Sequence, residues 1–441
     1  MFEKLARFIS SEGMAGPAFV MLVATVAGGG CNFLYQVMMT NLIPGGLAEL
    51  NTLLSILYIV TVPSSAVQNV IIRYVSKYNA LGEDSVVSWL LKRILVFTSV
   101  AGVAIAILLL IILSVPSVST TLKLTSTFPV VLLAIGVIIS LVSPVGQGTM
   151  QALQRFTPFG SINTVNFILK LTLGVGMVLL GFGISGALGG VIIGIAFGCA
   201  ASIIFVRKYL FMTSTAIEAR EIWRFTIPAT VAMLGYTVIT QADVIIATSL
   251  LVKEEANYYA AASSLAKIIL FLPGAVSTVM FPKLSKANAV RSMRARAGEE
   301  SNRILKAAFA MTLALAGLVV AAYFLAPELV LNILIPANPF KEQIAPILQW
   351  LGVAMMLLGL ANLFMLYGLA TDGHAYIVII TLSVIVMFSL VGIIVALGVS
   401  FTPMLVVIVM FITGLFIVAF SGLYLFVVER EWRPQLRNGS A

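Results

Sequence analysis

Charge is scarce in this sequence. Only 10% of the 441 residues are Asp, Glu, Lys or Arg, against 60% apolar, and mean hydropathy is +1.09. That balance excludes a soluble domain and is the composition of a polytopic membrane protein. Cysteine is nearly absent. Cys31 and Cys199 both lie in apolar stretches, where core packing suits them better than a disulfide framework or a metal site. Histidine occurs once, as His374 in a tight Asp372-Gly373-His374 turn, which suits a membrane interface better than a proton relay. There is no P-loop, no metal-ligand spacing and no nucleophile constellation, so nucleotide hydrolysis and enzyme chemistry are not expected of this chain.

What is present is a series of apolar runs, each close to the roughly 20 residues that a span requires. Twelve can be read, at about 17–43, 50–73, 94–115, 127–151, 158–182 and 184–206, then 223–251, 256–281, 304–326, 344–370, 374–398 and 402–427. The basic residues orient them. With both ends inside, only Lys123, Lys253 and Lys341 fall on outer loops and only Lys170 and Lys267 inside spans, while the rest of the 26 Lys and Arg gather on the cytoplasmic side. The net charge of +9 therefore reports plasma-membrane topology rather than affinity for nucleic acid. The stretch from Met1 to Pro17 lacks a small-residue cleavage pattern, so the first span is expected to be retained.

The halves repeat each other. Thr40-Asn41-Leu42-Ile43 falls on Thr248-Ser249-Leu250-Leu251, and Val62-Pro63-Ser64 on Leu272-Pro273-Gly274. Ser76-Lys77-Tyr78-Asn79-Ala80 then falls on Ser285-Lys286-Ala287-Asn288-Ala289. Six spans per half is an even number. The expected fold is thus all-α, with lobes 1–212 and 213–441 related by a pseudo-two-fold axis along the membrane normal, an arrangement of transporters that alternate access around a site between the halves. Pro63 and Pro273, at matched places, are hinge candidates or simply packing prolines. Gly186, Gly190, Gly194 and Gly198 form a ladder that favours close helix packing.

Helical spacing puts polar residues on single faces: Thr25, Asn32, Gln36 and Thr40 in the first span, and Asn51, Ser55, Tyr58, Ser65, Asn69 and Arg73 in the second. The fifth aligns Asn163, Asn166 and Lys170, and the eighth Tyr259, Ser263, Lys267 and Thr278. Such faces line wet cavities or bond helix to helix. Three charges stand alone in apolar runs: Lys170, Lys267 and Asp243. A charge at mid-bilayer costs about 3 kcal/mol on insertion scales, so each needs a partner, a cavity or an anionic ligand. Asp243 and Lys267 lie at depths that permit an ion pair, whereas Lys170 has no visible acidic partner within the membrane. Two cations against one anion, with Arg73 and Arg155 near the cytoplasmic mouth, favour an anionic substrate such as a phosphate or pyrophosphate. The basic loop from Lys283 to Lys306 could gather acidic lipids at the inner leaflet.

Several stretches carry a family resemblance: Gln241-Ala242-Asp243, Asn257-Tyr258-Tyr259-Ala260-Ala261-Ala262, Val279-Met280-Phe281-Pro282-Lys283-Leu284-Ser285 and Ala152-Leu153-Gln154-Arg155-Phe156. With the duplication, the chain resembles the polysaccharide transporters, or oligosaccharide flippases, of the multidrug/oligosaccharidyl-lipid/polysaccharide (MOP) exporter superfamily. The resemblance implies a V-shaped pair of six-helix lobes that flips polyprenyl-(pyro)phosphate-linked glycans to the outer leaflet. Lys170 and Lys267 would hold phosphate, with Arg73 and Arg155 at the entrance and Asn32, Gln36, Asn69 and Asn166 lining the substrate path. Asp243 would pair with Lys267 or carry a coupling proton or sodium ion, with no other cofactor. Partners would be the lipid-linked oligosaccharide, membrane lipids and glycan-assembly enzymes. The first span offers only Asn32 and Gln36 where the lipid II flippase branch is rich in arginine, which turns the expectation away from a peptidoglycan precursor. Two alternatives remain open at this point: a cation-coupled drug antiporter of the same superfamily, and a membrane-embedded glycan ligase or polymerase. Against the latter, the outer loops offer chiefly Glu49, Glu254, Glu255, Glu328 and Glu342, without a catalytic pair.

Overall fold

All twelve apolar runs fall on helix, the eighth being described only to Phe271. The computed structural model describes the backbone of residues 15–215, 220–271, 294–370 and 375–438, and the side chains of 24–215, 230–271, 305–367 and 375–424. In the first half the helices are α1 (Ala15–Leu42), α2 (Leu47–Ala80), α3 (Asp84–Ser114), α4 (Phe128–Val142), α5 (Pro144–Ala152), α6 (Phe156–Met177) and α7 (Gly183–Phe211). The second half has α8 (Arg220–Leu250), α9 (Lys253–Ala266), α10 (Arg294–Leu325), α11 (Lys341–Ala370), α12 (Ala375–Ala396) and α13 (Pro403–Asn438). Two short helices, Pro116–Thr121 and Pro327–Leu334, lie in connections. Among the described residues there is no strand, and nine helical stretches are long and apolar enough to cross a membrane, the α4–α5 and α6–α7 pairs each counting as one.

Local chemistry explains the interruptions. The fourth apolar run, read from sequence as one span, is one stretch, Phe128–Ala152, in which α4 passes to α5 at Ser143, because Pro144 has no N–H for the next hydrogen bond and instead opens α5. Ser143 bridges them, accepting a 2.8 Å hydrogen bond on Oγ from Gln147 Nε2. The turn between α6 and α7 rests on Gly181 (φ 92°) and Gly183 (φ 52°), left-handed backbone that a side chain would strain. By contrast α2 runs through Pro63 without a break, and beside it Ser64 Oγ donates to the Ser140 carbonyl of α4 at 3.0 Å. Pro273 lies outside the described residues. Ahead of it, Lys267–Leu270 tightens into a 3-10 turn.

Contacts divide the chain into two compact units, Met1–Thr230 and Val231–Ala441. The division falls inside α8, whereas the sequence reading draws it at 212/213. In the first unit α2 packs on α4 and α5, α3 on α4, α4 on α7, and α6 on α7. In the second, α9 packs on α11, α10 on α11, α11 on α13, and α12 on α13. Four pairings (second, third and sixth spans on the fourth, fifth on sixth) recur in both units, and in the first α1 also packs on α6. α3 and α12 expose Val96, Val100, Ile107 and Ile111, and Val378, Ile385, Phe388 and Ile393 respectively, faces suited to lipid tails. Beyond α7 the chain is strapped back onto α3, where the Met212 carbonyl accepts from Ser88 Oγ (3.0 Å) and Lys92 Nζ (2.6 Å).

Candidate functional site

The first constellation is built on the α6–α7 hairpin. The glycine ladder of α7 faces α6 so closely that a Cβ on Gly190 would sit 2.3 Å from the backbone of Gly174. A Cβ on Gly194 would lie 2.7 Å from the carbonyl and side-chain oxygens of Asn166. The ladder thus serves packing, and Asn166 rests against it. With one face of α6 committed to α7, its neighbouring face turns to α1, where Phe167 packs on Gly28 and Lys170 reaches Asn32.

Lys170 is only 6% exposed. Its ammonium donates a short hydrogen bond to Asn32 Oδ1 and sits 4.6 Å from the ring centroid of Tyr35, within cation–π range. Tyr35 is wholly buried and donates from its hydroxyl to the Ala187 carbonyl of α7 at 2.9 Å, which fixes the ring beneath the cation. Among the described residues no carboxylate comes within ion-pair distance of Lys170. One turn along α1 from Asn32, Gln36 holds its Oε1 buried with no hydrogen-bond partner among the described residues. Tyr35 is the member of this group that sequence reading missed. Its spacing of three from Asn32 places it on the same helix face, a usable signal hidden by the apolar residues around it.

The second constellation joins α8 to α9. Asp243 is wholly buried and takes a 2.8 Å ion pair from Lys267 on Oδ1. On Oδ2 it accepts from Ser263 at 2.7 Å and from Tyr259 at 3.4 Å. Lys267 also donates to Gln241 Oε1 at 3.4 Å. The polar stripe read on the eighth span therefore faces Asp243, and of the two arrangements open for Lys267 this structure holds the paired one. Thr278 of that stripe lies outside the described residues, as do His374, the Lys283–Arg291 part of the basic run and the side chains of Arg294, Arg296 and Arg303.

Other candidates belong to neither group. Arg73 and Arg155 are exposed at the end of the first unit that the charge pattern assigns to the cytoplasm. Arg73, Lys77 and Lys208 each lie against a neighbouring tyrosine ring, at 6.0, 5.4 and 5.9 Å from the centroids of Tyr74, Tyr78 and Tyr209. Those rings share one apolar cluster with Trp89, so aromatic anchors hold the basic side chains. Asn69 is exposed, and Asn163 is spent on its own helix, donating to the Phe159 carbonyl at 3.1 Å. No metal-binding group of three or more His, Cys, Asp or Glu occurs among the described residues.

The model of a family described as polysaccharide biosynthesis protein matches residues 91–334. Among solved structures, the chain is similar to an inward-facing multidrug resistance MATE family transporter of the MOP superfamily, with TM-score 0.71, 13% identity, and 94% of this chain and 99% of that one covered. It is similar to the lipid II flippase MurJ in an inward closed conformation, with TM-score 0.68, 14% identity, and 94% and 87% covered. A third likeness is to a MOP superfamily transporter from Pyrococcus furiosus described as having a binding pocket of reverse polarity, with TM-score 0.62, 15% identity, and 94% and 96% covered. These are transporters and a flippase rather than enzymes, and at such identities they share the fold. No curated protein sequence matches the chain.

Proposed function

The chain belongs to the polysaccharide biosynthesis protein family and carries the MOP transporter fold, and from that premise we propose that it flips a polyprenyl-(pyro)phosphate-linked oligosaccharide from the cytoplasmic to the outer leaflet by alternating access. The observation that carries the reading is Lys170, a buried ammonium within a membrane-spanning helix, held by a neutral amide and an aromatic ring with no carboxylate among the described residues. A cation at that depth calls for an anionic ligand, and phosphate oxygens form the strong, charge-assisted hydrogen bonds that a lysine offers in a low-dielectric site. The flippase likeness agrees with a lipid-linked substrate, and the Pyrococcus furiosus protein indicates that pocket polarity varies on this fold.

In this reading the protein lies in the plasma membrane with both termini cytoplasmic. Arg73 and Arg155 receive the acidic headgroup, and glycan-assembly enzymes supply the substrate. A proton or sodium gradient drives the cycle, without another cofactor. An ion acting at Asp243 has first to displace Lys267, since that carboxylate is already occupied by Lys267, Ser263 and Tyr259. The same occupancy weighs against a cation-exporting antiporter, the second reading that the MATE likeness supports, because such a pump needs an available carboxylate. Reconstitution tests the proposal. Lys170→Ala should insert and fold as the parent does yet flip lipid-linked oligosaccharide at least about tenfold more slowly, and unchanged flipping would sink it.

A further inference from the structure

The two units handle a buried lysine in two ways. Lys267 is neutralised by Asp243 at 2.8 Å, whereas Lys170 donates to Asn32, whose side chain has the reach of an aspartate but no charge. Asn32 Oδ1 is the one hydrogen-bond acceptor that Lys170 has among the described residues, and the Tyr35 ring, from the same face of α1, lies 4.6 Å from the ammonium. An ammonium has three N–H donors, so beside the charge-assisted bond to Asn32 it keeps donors for an anion, and the amide can turn its own N–H to the incoming oxygen. A carboxylate in the place of the amide would cancel the charge that attracts the anion and form a desolvated pair.

We propose that Asn32 is the charge-selecting residue of this unit, a neutral stand-in for a carboxylate that holds Lys170 in place without cancelling the charge that attracts a phosphate or pyrophosphate. The assignment rests on the reading of Lys170 as a phosphate ligand and adds the residue that makes it selective. It acts through Lys170, so it is a positioning residue. A single exchange, Asn32→Asp, would reproduce in the first unit the closed arrangement that Asp243 and Lys267 make in the second.

The experiment uses the full-length protein in nanodiscs of uncharged lipid, titrated separately with inorganic pyrophosphate and with a glycan-free polyprenyl pyrophosphate. The two probes separate recognition of the phosphate group from recognition of the lipid that bears it. The wild type should bind at least one probe, and Asn32→Asp should weaken that binding by about 100-fold, close to the effect of Lys170→Met. Asn32→Ala, which removes the stand-in without adding charge, should weaken binding by about tenfold, well short of the loss in Asn32→Asp. Melting temperature is read on every variant, and Asn32→Asp should melt no lower than Asn32→Ala. Equal loss of binding in Asn32→Ala and Asn32→Asp, wild-type binding by Asn32→Asp, or no binding of either probe to the wild type would each overturn the assignment. If Asn32→Asp fails to fold, binding by Asn32→Ala within about tenfold of wild type together with its loss in Lys170→Met supports it, and a loss in Asn32→Ala equal to that in Lys170→Met overturns it. Should the binding results hold while the wild type flips no lipid-linked glycan, charge selection stands and the flippase reading fails.

Discussion

Replacing Asp243 with Asn should cost about 3 kcal/mol of stability, nearly all of it through the charge left on Lys267. Asp243 is wholly buried and Lys267 is 17% exposed, so the pair is screened little by water. Asparagine matches aspartate in size and leaves no cavity. It can still offer Oδ1 to Lys267 while its amide turns toward Ser263 and Tyr259, whose hydroxyls accept as readily as they donate. The hydrogen bonds survive and the counter-charge does not, which puts the cost at the lower end of the roughly 3–5 kcal/mol for breaking a buried pair. Asp243→Ala should approach about 5 kcal/mol, because Ser263 and Tyr259 also lose their acceptor. Lys267→Met alone should also cost about 3 kcal/mol, because it strands the charge of the wholly buried Asp243, and the Asp243→Asn, Lys267→Met double variant about 2 kcal/mol, since no charge then remains buried. The coupling energy is then about 4 kcal/mol. Equilibrium unfolding by SDS in mixed micelles measures the cycle. Tryptophan emission is a suitable signal, because Trp350 meets Phe324 edge-on at 5.7 Å within this unit. Additive single effects, with a coupling below about 0.5 kcal/mol, would refute the electrostatic account.

Two further outcomes follow from the same geometry. Gly190→Ala places a methyl group 2.3 Å from the Gly174 backbone and should lower stability by about 2–3 kcal/mol, whereas Gly176→Ala, which meets open space, should change little; SDS unfolding of both variants checks this. Lys123, in the connection between α3 and α4, has its amine pushed below the usual lysine value of 10.5 by burial. Its acylation rate should therefore reach half-maximum below pH 10.5, as mass spectrometry after brief labelling would detect. The folded state disfavours the charged amine, so this residue's penalty on stability should fade as pH rises through the folded value.

Much of this architecture could be read before any coordinates, because hydropathy alone decides which segments can leave water. Each apolar run lies on helix as far as the structure describes it, and four helix pairings of the first unit recur in the second. Lys170, Asp243 and Lys267 were legible for a related reason: an isolated charge in an apolar run is conspicuous. Depth along two hairpin helices permitted the Asp243–Lys267 contact without deciding it, since rotation about the helix axis is set by packing that periodicity does not contain. Tyr35 escaped notice because an aromatic among Phe33, Leu34 and Val37 reads as apolar filling. Its role depends on Ala187, far away in sequence, and on the absence of a side chain at Gly174. The passage from α4 to α5 at Ser143 is announced by Pro144, within an apolar run that continues on both sides as one span.

The contact between Gly174 and Gly190 sets an unequal latitude for change. α6 and α7 touch backbone to backbone and are joined by a turn built on two left-handed glycines, so most substitutions along that seam damage the fold before they can alter what it carries. Asn32 and Gln36 sit on α1, outside the seam, where a polar side chain can be exchanged without moving a main chain. Divergence in cargo among descendants of this chain should accordingly accumulate on the first helix, with the α6–α7 hairpin inherited as an unchanging chassis.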